Sequence, residues 1–192
     1  MDKDQFKRHV EGLLPEKRFQ HTLRVADTAV KLANTFGGDP EKAEIASLLH
    51  DLAKYFDVKK LKESVESHSE ISNNFLDFHP ELWHAPVGAV YAKEELNVVD
   101  PDILNAITYH TTGRAEMSLL EKIVFLADYI EPGRQFPGVE EVRSLAKTDL
   151  DKAIAKALKN TIEFLLARSQ LIYPDTLHAY NAFISKLGGH VE

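Results

Sequence analysis

Six side chains in this sequence have the types and surroundings for cation chemistry: His21, the adjacent pair His50–Asp51, His84, His110 and Asp128. Each falls on or at the end of an expected helix, among apolar neighbours. An imidazole or a carboxylate is costly to bury unless it is paired or bound to something. The stretch SLLHDLAKY, residues 47–55, is the sharpest case, because it reads as an apolar helix carrying two such groups side by side. Neutral imidazole nitrogen together with carboxylate oxygen suits first-row divalent ions such as iron, manganese or zinc. Six groups exceed what one metal needs if water and substrate also bind. They suffice for two metals bridged by a carboxylate, and Asp51 is the natural bridge. Two metals about 4 Å apart can hold a hydroxide and clamp a phosphoryl group.

Each residue also has a plainer explanation. A lone histidine on an amphipathic helix, as His21, His84 and His110 each are when taken singly, is ordinarily a boundary residue. Asp128 is more informative, since a carboxylate near a helix C-terminus opposes the helix dipole and needs another reason to be there. His9, His68, His79, His178 and His190 have no supporting pattern and read as surface or loop residues.

The elements that must position these groups are helices almost throughout. Phe6, Val10, Leu13 and Leu14 give a first helix that ends at Pro15. Leu23, Ala26, Val30 and Ala33 repeat at helical spacing within a second, 16–36, stopped by Gly37–Gly38. Asp39–Pro40 is a start signal, and the third helix runs on through Leu52. Short amphipathic pieces follow near 58–65 and 71–78, and Pro80 breaks the pattern. Further helices cover 83–96 and, after Asp100–Pro101, a span ending near His110, with Thr111–Thr112–Gly113 as its stop. Ser118 and Glu121 have the spacing of a capping box ahead of 123–130, which Glu131–Pro132–Gly133 ends. A short helix within 138–147 precedes two longer ones, capped by Asp149 and Asp175. No strand pattern, repeat or low-complexity linker interrupts them. The expected fold is all-α, a single-domain helical bundle over 1–192, with core motifs at about 18–134 and C-terminal helices at 139–187 completing it.

The chain of 192 residues is long enough for one well-buried domain. A net charge of -7 argues against a broad nucleic-acid footprint, while a bound metal could still reverse the local sign for a small anionic substrate. The absence of cysteine removes disulfides, thiolate catalysis and zinc-finger sites. The first ten residues lack the apolar core of a signal peptide, and no apolar run reaches the roughly 18 residues of a membrane span. A cytoplasmic protein is expected, with no membrane partner. Exposed apolar residues at 64–80 or on the last helix could make a homodimer contact.

In order, the six residues give His…His-Asp…His…His…Asp, which resembles the HD-domain metal-dependent phosphohydrolases. The stretches HTLRVADTAV, LLHDLAKY, HAPVGAVYAKEEL, AITYHTTGR and FLADYIEPGR, which begin at His21, Leu48, His84, Ala106 and Phe125, are similar to the YqeK family of symmetrical diadenosine tetraphosphate hydrolases. Five blocks in order form a far more specific signal than a single histidine–aspartate pair. The resemblance implies an HD-type fold and iron, one or two ions, as the cofactor, with manganese or another divalent metal as the alternative. It also implies hydrolysis of a dinucleoside tetraphosphate at the central anhydride, by a metal-activated water, into two nucleoside diphosphates such as ADP. His21, His50, Asp51 and Asp128 match the core ligands. His84 and His110 match the pair that holds a second metal in binuclear members, or they face the phosphates if only one ion binds.

Helical spacing adds contacts to phosphate. Lys54 shares a face with His50, and Arg134 follows the turn after Asp128; with Asp51 these are the expected catalytic residues. Arg18 and Arg24, three residues either side of His21, and Thr111, beside His110, are substrate-binding candidates along with Arg134. Tyr109 and Tyr173 could stack on a base, although tyrosine in such positions more often packs. A nucleotidase or alarmone hydrolase would use the same centre, and a non-enzymatic helical scaffold would need none of it.

Overall fold

A computed structural model describes residues 3–189; His190 and the ends of the 1–192 span lie outside the described residues. Ten α-helices are present among them: α1 (Lys3–Leu13), α2 (Glu16–Phe36), α3 (Pro40–Leu49), α4 (Val58–Ser67), α5 (His84–Glu95), α6 (Pro101–Tyr109), α7 (Leu119–Ile130), α8 (Val139–Leu145), α9 (Leu150–Ala167) and α10 (Pro174–Lys186). No strand occurs among the described residues. None of the helices there is long and apolar enough to cross a membrane.

The helix starts follow from their capping chemistry. Asp39 accepts from the backbone N–H of Glu41 and Lys42 at 2.9 and 3.1 Å, with Pro40 in the first turn. Asp100 and Pro101 repeat the device at α6. Each such cap contributes about 1 kcal/mol. Gly37 closes α2 at φ +75°, a left-handed conformation that glycine adopts without cost.

Three expected boundaries are corrected. The third helix ends at Leu49 rather than Leu52, and His50–Asp51 occupy the turns after it. Those turns are closed by bonds from Leu52 N–H to the Leu49 carbonyl and from Lys54 N–H to the Asp51 carbonyl. The piece at 71–78 is a 3₁₀ turn at Asn73–Asp77. The last helix starts from Tyr173 with Pro174 in its first turn, and Asp175 lies inside it rather than capping it. The Ser118–Glu121 box is only half formed. Ser118 Oγ accepts from Glu121 N–H at 3.2 Å, but the buried Glu121 carboxylate takes Arg114 Nε and Nη2 at 2.7 and 2.5 Å instead of reaching back.

One main core joins α1–α3 and α5–α10. A second cluster holds Leu61, Val65, Ile71, Phe75, Trp83, Val87 and Tyr173. Trp83 Nε1–H donates to the Phe75 carbonyl at 2.7 Å, which satisfies the indole inside it. Segment 64–80 buries Ile71 and Phe75 in this cluster and packs Leu76 and Phe78 half-buried against it. On the last helix, Leu177 is exposed.

Candidate metal centre

The helix ends converge. His21 comes from the first half of α2, His50 and Asp51 from the turn after α3, His84 from the start of α5, His110 from the end of α6 and Asp128 from the last turn of α7. All four histidines and Asp51 are buried. His21 Nε2 lies 3.0 Å from Asp128 Oδ1 and 3.8 Å from Asp51 Oδ2. His50 Nε2 lies 2.9 Å from Asp51 Oδ2 and 3.9 Å from Asp128 Oδ1. On the other side, His84 Nε2 and His110 Nε2 are 3.2 Å apart, and they lie 3.2 and 3.9 Å from Asp51 Oδ1. The two oxygens of one carboxylate thus face two different histidine pairs.

The outer ring nitrogens explain why the inner ones point inward. His50, His84 and His110 direct Nδ1 to the carbonyls of Ser47, Glu81 and Ile107 at 2.6, 2.5 and 2.8 Å. His21 directs Nδ1 to Glu131 Oε1 at 3.0 Å. With Nδ1–H donating outward, each Nε2 presents a lone pair to the centre. His21 Nε2, His50 Nε2 and Asp51 Oδ1 are buried without a hydrogen-bond partner. Acceptors that meet acceptors in a buried space need a positive charge between them. The trios His21–His50–Asp51, His50–His110–Asp128 and Asp51–His84–His110 each bring their ligand atoms within 4.8 Å of one another. The donor set fits divalent first-row cations.

The electrostatics agree. Burial pushes the Asp51 carboxyl up, but His50, His84 and Arg18 outweigh it and hold the group well below the usual carboxylate range. At Asp128 burial is likewise outweighed, by His21 and Arg134. Burial, with His50 and His84 alongside, pushes His110 well below the ordinary histidine value and leaves its ring neutral. His50 is raised, because Asp51 more than offsets its burial. A proton there and a metal ion are two ways to fill one position.

The expected phosphate contacts fall into two groups. Arg18 Nε donates to Asp51 Oδ2 at 2.5 Å, and Arg134 Nη2 donates to Asp128 Oδ1 at 2.5 Å. Both guanidiniums are partly exposed at the rim. Lys54 Nζ donates to Glu81 Oε2 at 2.6 Å, also at the rim. Thr111 Oγ1 is buried beside His110 without a partner. Arg24, by contrast, is committed to Glu131, with Nε on Oε2 at 2.6 Å. The Tyr109 ring is covered by the Arg114 guanidinium, 4.4 Å from its centroid. Tyr173 stacks on Phe75 with centroids 4.4 Å apart, so the packing explanation describes its ring.

Sequence reasoning missed Glu131, which read only as a helix stop. It is buried, and it accepts from His21, Arg24 and the Gly133 N–H, the last at 2.6 Å. Burial pushes its carboxyl up, but Arg24, His21 and Gly133 bring it down to about 2. A Cβ on Gly133 would stand 2.6 Å from Arg24 Nη2, so glycine leaves this cradle open. The available signal was a carboxylate three residues after Asp128 with arginine three residues after His21. Glu131→Gln keeps the volume and one acceptor but loses the charge behind His21. It is expected to weaken metal affinity by about 10- to 100-fold, with full metal content recovered at saturating metal. Unchanged affinity with only a lower melting temperature would reduce Glu131 to a packing role.

The HD domain family matches residues 18–133. A symmetrical bis(5'-nucleosyl)-tetraphosphatase of Halalkalibacterium halodurans is 52% identical over 91% of this chain and 93% of its own length. One from Bacillus subtilis is 49% identical over 92% of this chain and 94% of its own. The crystal structure of a predicted HD superfamily hydrolase involved in NAD metabolism from Clostridium acetobutylicum superposes with a TM-score of 0.91. It has 41% identity and covers 97% of this chain and 98% of its own. The chain belongs to the HD-domain family and, within it, to the branch that includes the symmetrical bis(5'-nucleosyl)-tetraphosphatases.

Proposed function

We propose that this chain hydrolyses a dinucleoside tetraphosphate, diadenosine tetraphosphate in the first instance, to two nucleoside diphosphates. The observation that carries the reading is the division of Asp51 between two histidine pairs in one buried space. The names of the relatives supply the substrate class. In the proposed reaction, a water oxygen bonds to one of the two central phosphorus atoms. The bond from that phosphorus to the central bridging oxygen breaks, and that oxygen leaves with the electron pair as the terminus of a nucleoside diphosphate.

His21, His50, Asp51 and Asp128 would hold one cation, and Asp51, His84 and His110 a second. Divalent cations there would acidify a bound water and offset phosphate charge. We propose iron as the native ion, with manganese as the nearest substitute, since the donors lack thiolate and suit both. Arg18, Arg134 and Lys54 stand at the rim as movable cations. Each can exchange its present carboxylate for an incoming phosphate oxygen, and arginine can do so with two parallel bonds. Arg24 supports His21 through Glu131 rather than touching phosphate. A nucleoside diphosphate is a fair leaving group, so positioning and charge stabilisation carry most of the rate. A cytoplasmic location accords with an intracellular nucleotide substrate.

The test is anaerobic purification with metal quantification, then product analysis. ADP as the only nucleotide product of diadenosine tetraphosphate supports the proposal. Release of free phosphate from nucleoside monophosphates, with the dinucleotide untouched, favours the nucleotidase alternative. Purification without stoichiometric metal favours a scaffold. Arg134→Ala is expected to raise KM about tenfold while leaving the metal content intact, because one charge-assisted contact is lost. Unchanged kinetics would remove Arg134 from the phosphate site.

A further inference from the structure

Two clefts each take part of their wall from residues that neighbour the candidate ligands in the chain. The first, about 540 Å³, is walled by Glu81, Thr111, Leu171 and Tyr173. The second, about 740 Å³, is walled by Tyr129, Phe136 and Asn160. Both volumes lie in the range of small-molecule sites. They share one partition, formed by Thr161, Phe164 and Arg168 of α9 and its end. Their attachment to the centre is direct along the chain. Glu81 gives its carbonyl to His84 Nδ1, and Thr111 follows His110, so the first cleft shares wall residues with the surroundings of the His84–His110 half. Tyr129 follows Asp128, so the second takes one wall residue from next to the His21–Asp128 half.

Resting on the reaction proposed above, we infer that these clefts take the two nucleoside ends of one substrate, with α9 as the divider between them. Three observations point to a ligand of that kind. Phe164 is 52% exposed in the partition, where an apolar ring in water gains by being covered. The Arg168 guanidinium lies 3.8 Å from its centroid, which gives the divider an aromatic face and a cation together. Thr111 Oγ1 is buried without a partner in the wall of the first cleft, as a group held for a ligand would be. In the second cleft Tyr129 and Phe136 stand edge to face, 5.0 Å apart, and Asn160 Nδ2–H donates to Tyr129 Oη at 3.2 Å. A base could lie against these rings and a ribose against the amide. Two anchored ends of equal length centre the phosphate chain between the halves of the metal site. Cleavage at its midpoint then follows from measurement by the clefts rather than from recognition of a particular phosphate.

The test is calorimetric titration of ADP onto the manganese-loaded full chain, paired with kinetics on diadenosine tetraphosphate and adenosine tetraphosphate, which has one nucleoside end. The expected result is two ADP per chain. Phe164→Ala should weaken both sites by about tenfold, and Phe136→Ala only one, as loss of an aromatic face predicts. Both side chains are at least partly exposed, so the variants should keep the wild-type melting temperature. The one-ended substrate should show a KM about tenfold higher, a preference that Phe136→Ala erases. One ADP per chain, or two whose affinities neither substitution changes, overturns the inference. If two ADP bind as described but diadenosine tetraphosphate is not cleaved, the clefts stand and the proposed reaction falls.

Discussion

Asp51→Ala is expected to abolish metal retention and to reduce hydrolysis by about a thousandfold or more, while leaving the helices folded. The carboxylate is fully buried, yet it is no packing residue. Its oxygens meet His50 at 2.9 Å on one side and His84 at 3.2 Å on the other. In the proposed centre, truncation withdraws one ligand from each half at once. Arg18, partly exposed at the rim, can turn to water when its partner goes, so the fold is spared an unpaired buried charge. The sharper variant is Asp51→Asn, which has the same shape and a single ligating oxygen. If the proposed two-ion centre is right, it should bind one metal per chain where the wild type binds two, and it should be as inactive as the alanine variant. Metal analysis of both proteins beside their circular dichroism spectra decides the matter. A wild-type metal content in Asp51→Ala would end the bridging assignment.

Helix ends were legible wherever capping chemistry sat at the boundary, as at Asp39–Pro40 and Asp100–Pro101. The convergence of the six histidines and aspartates was legible too, because a lone imidazole or carboxylate among apolar neighbours demands a partner. The backbone around His50–Asp51 was not. The apolar run continues through Leu52 and Ala53, and periodicity does not distinguish a continuing helix from tight turns that bury the same side chains. The turns matter, since they let Asp51 present both oxygens to the centre while Ser47 holds the His50 ring by its outer nitrogen. Glu131 and Glu121 escaped for one reason in common. Each sits at a helix end, where local rules supply a sufficient explanation, and each is claimed instead by an arginine: Arg24 for Glu131, Arg114 for Glu121. Such pairings are tertiary, and no local pattern encodes them.

The second large effect is thermal. Metal loading is expected to raise the melting temperature by roughly 10 °C, and a chelator should reverse the gain. His21 Nε2, His50 Nε2 and Asp51 Oδ1 are buried without hydrogen-bond partners. Asp51 and Asp128 add two carboxylates to the same space, one His50 nitrogen lying 2.9 and 3.9 Å from them. A cation resolves all of these contacts in the folded state. In the unfolded chain the ligands are separated by as much as the span from His21 to Asp128, and no site exists. Binding to the folded form alone contributes about 4 kcal/mol when the free ion is at a thousand times its dissociation constant. For a chain of this length each kcal/mol moves the midpoint by about 2–4 °C. The sign is fixed by linkage, and the size depends on the free ion chosen, so iron or manganese should be titrated anaerobically during differential scanning calorimetry. Asp51→Ala should lose the shift entirely, because both halves lose a ligand. Glu131→Gln should keep it but reach it only at higher metal concentration. A melting temperature indifferent to metal in the wild-type chain would mean that the converging nitrogens and oxygens are satisfied in some other way, and the metal assignment would have to be withdrawn.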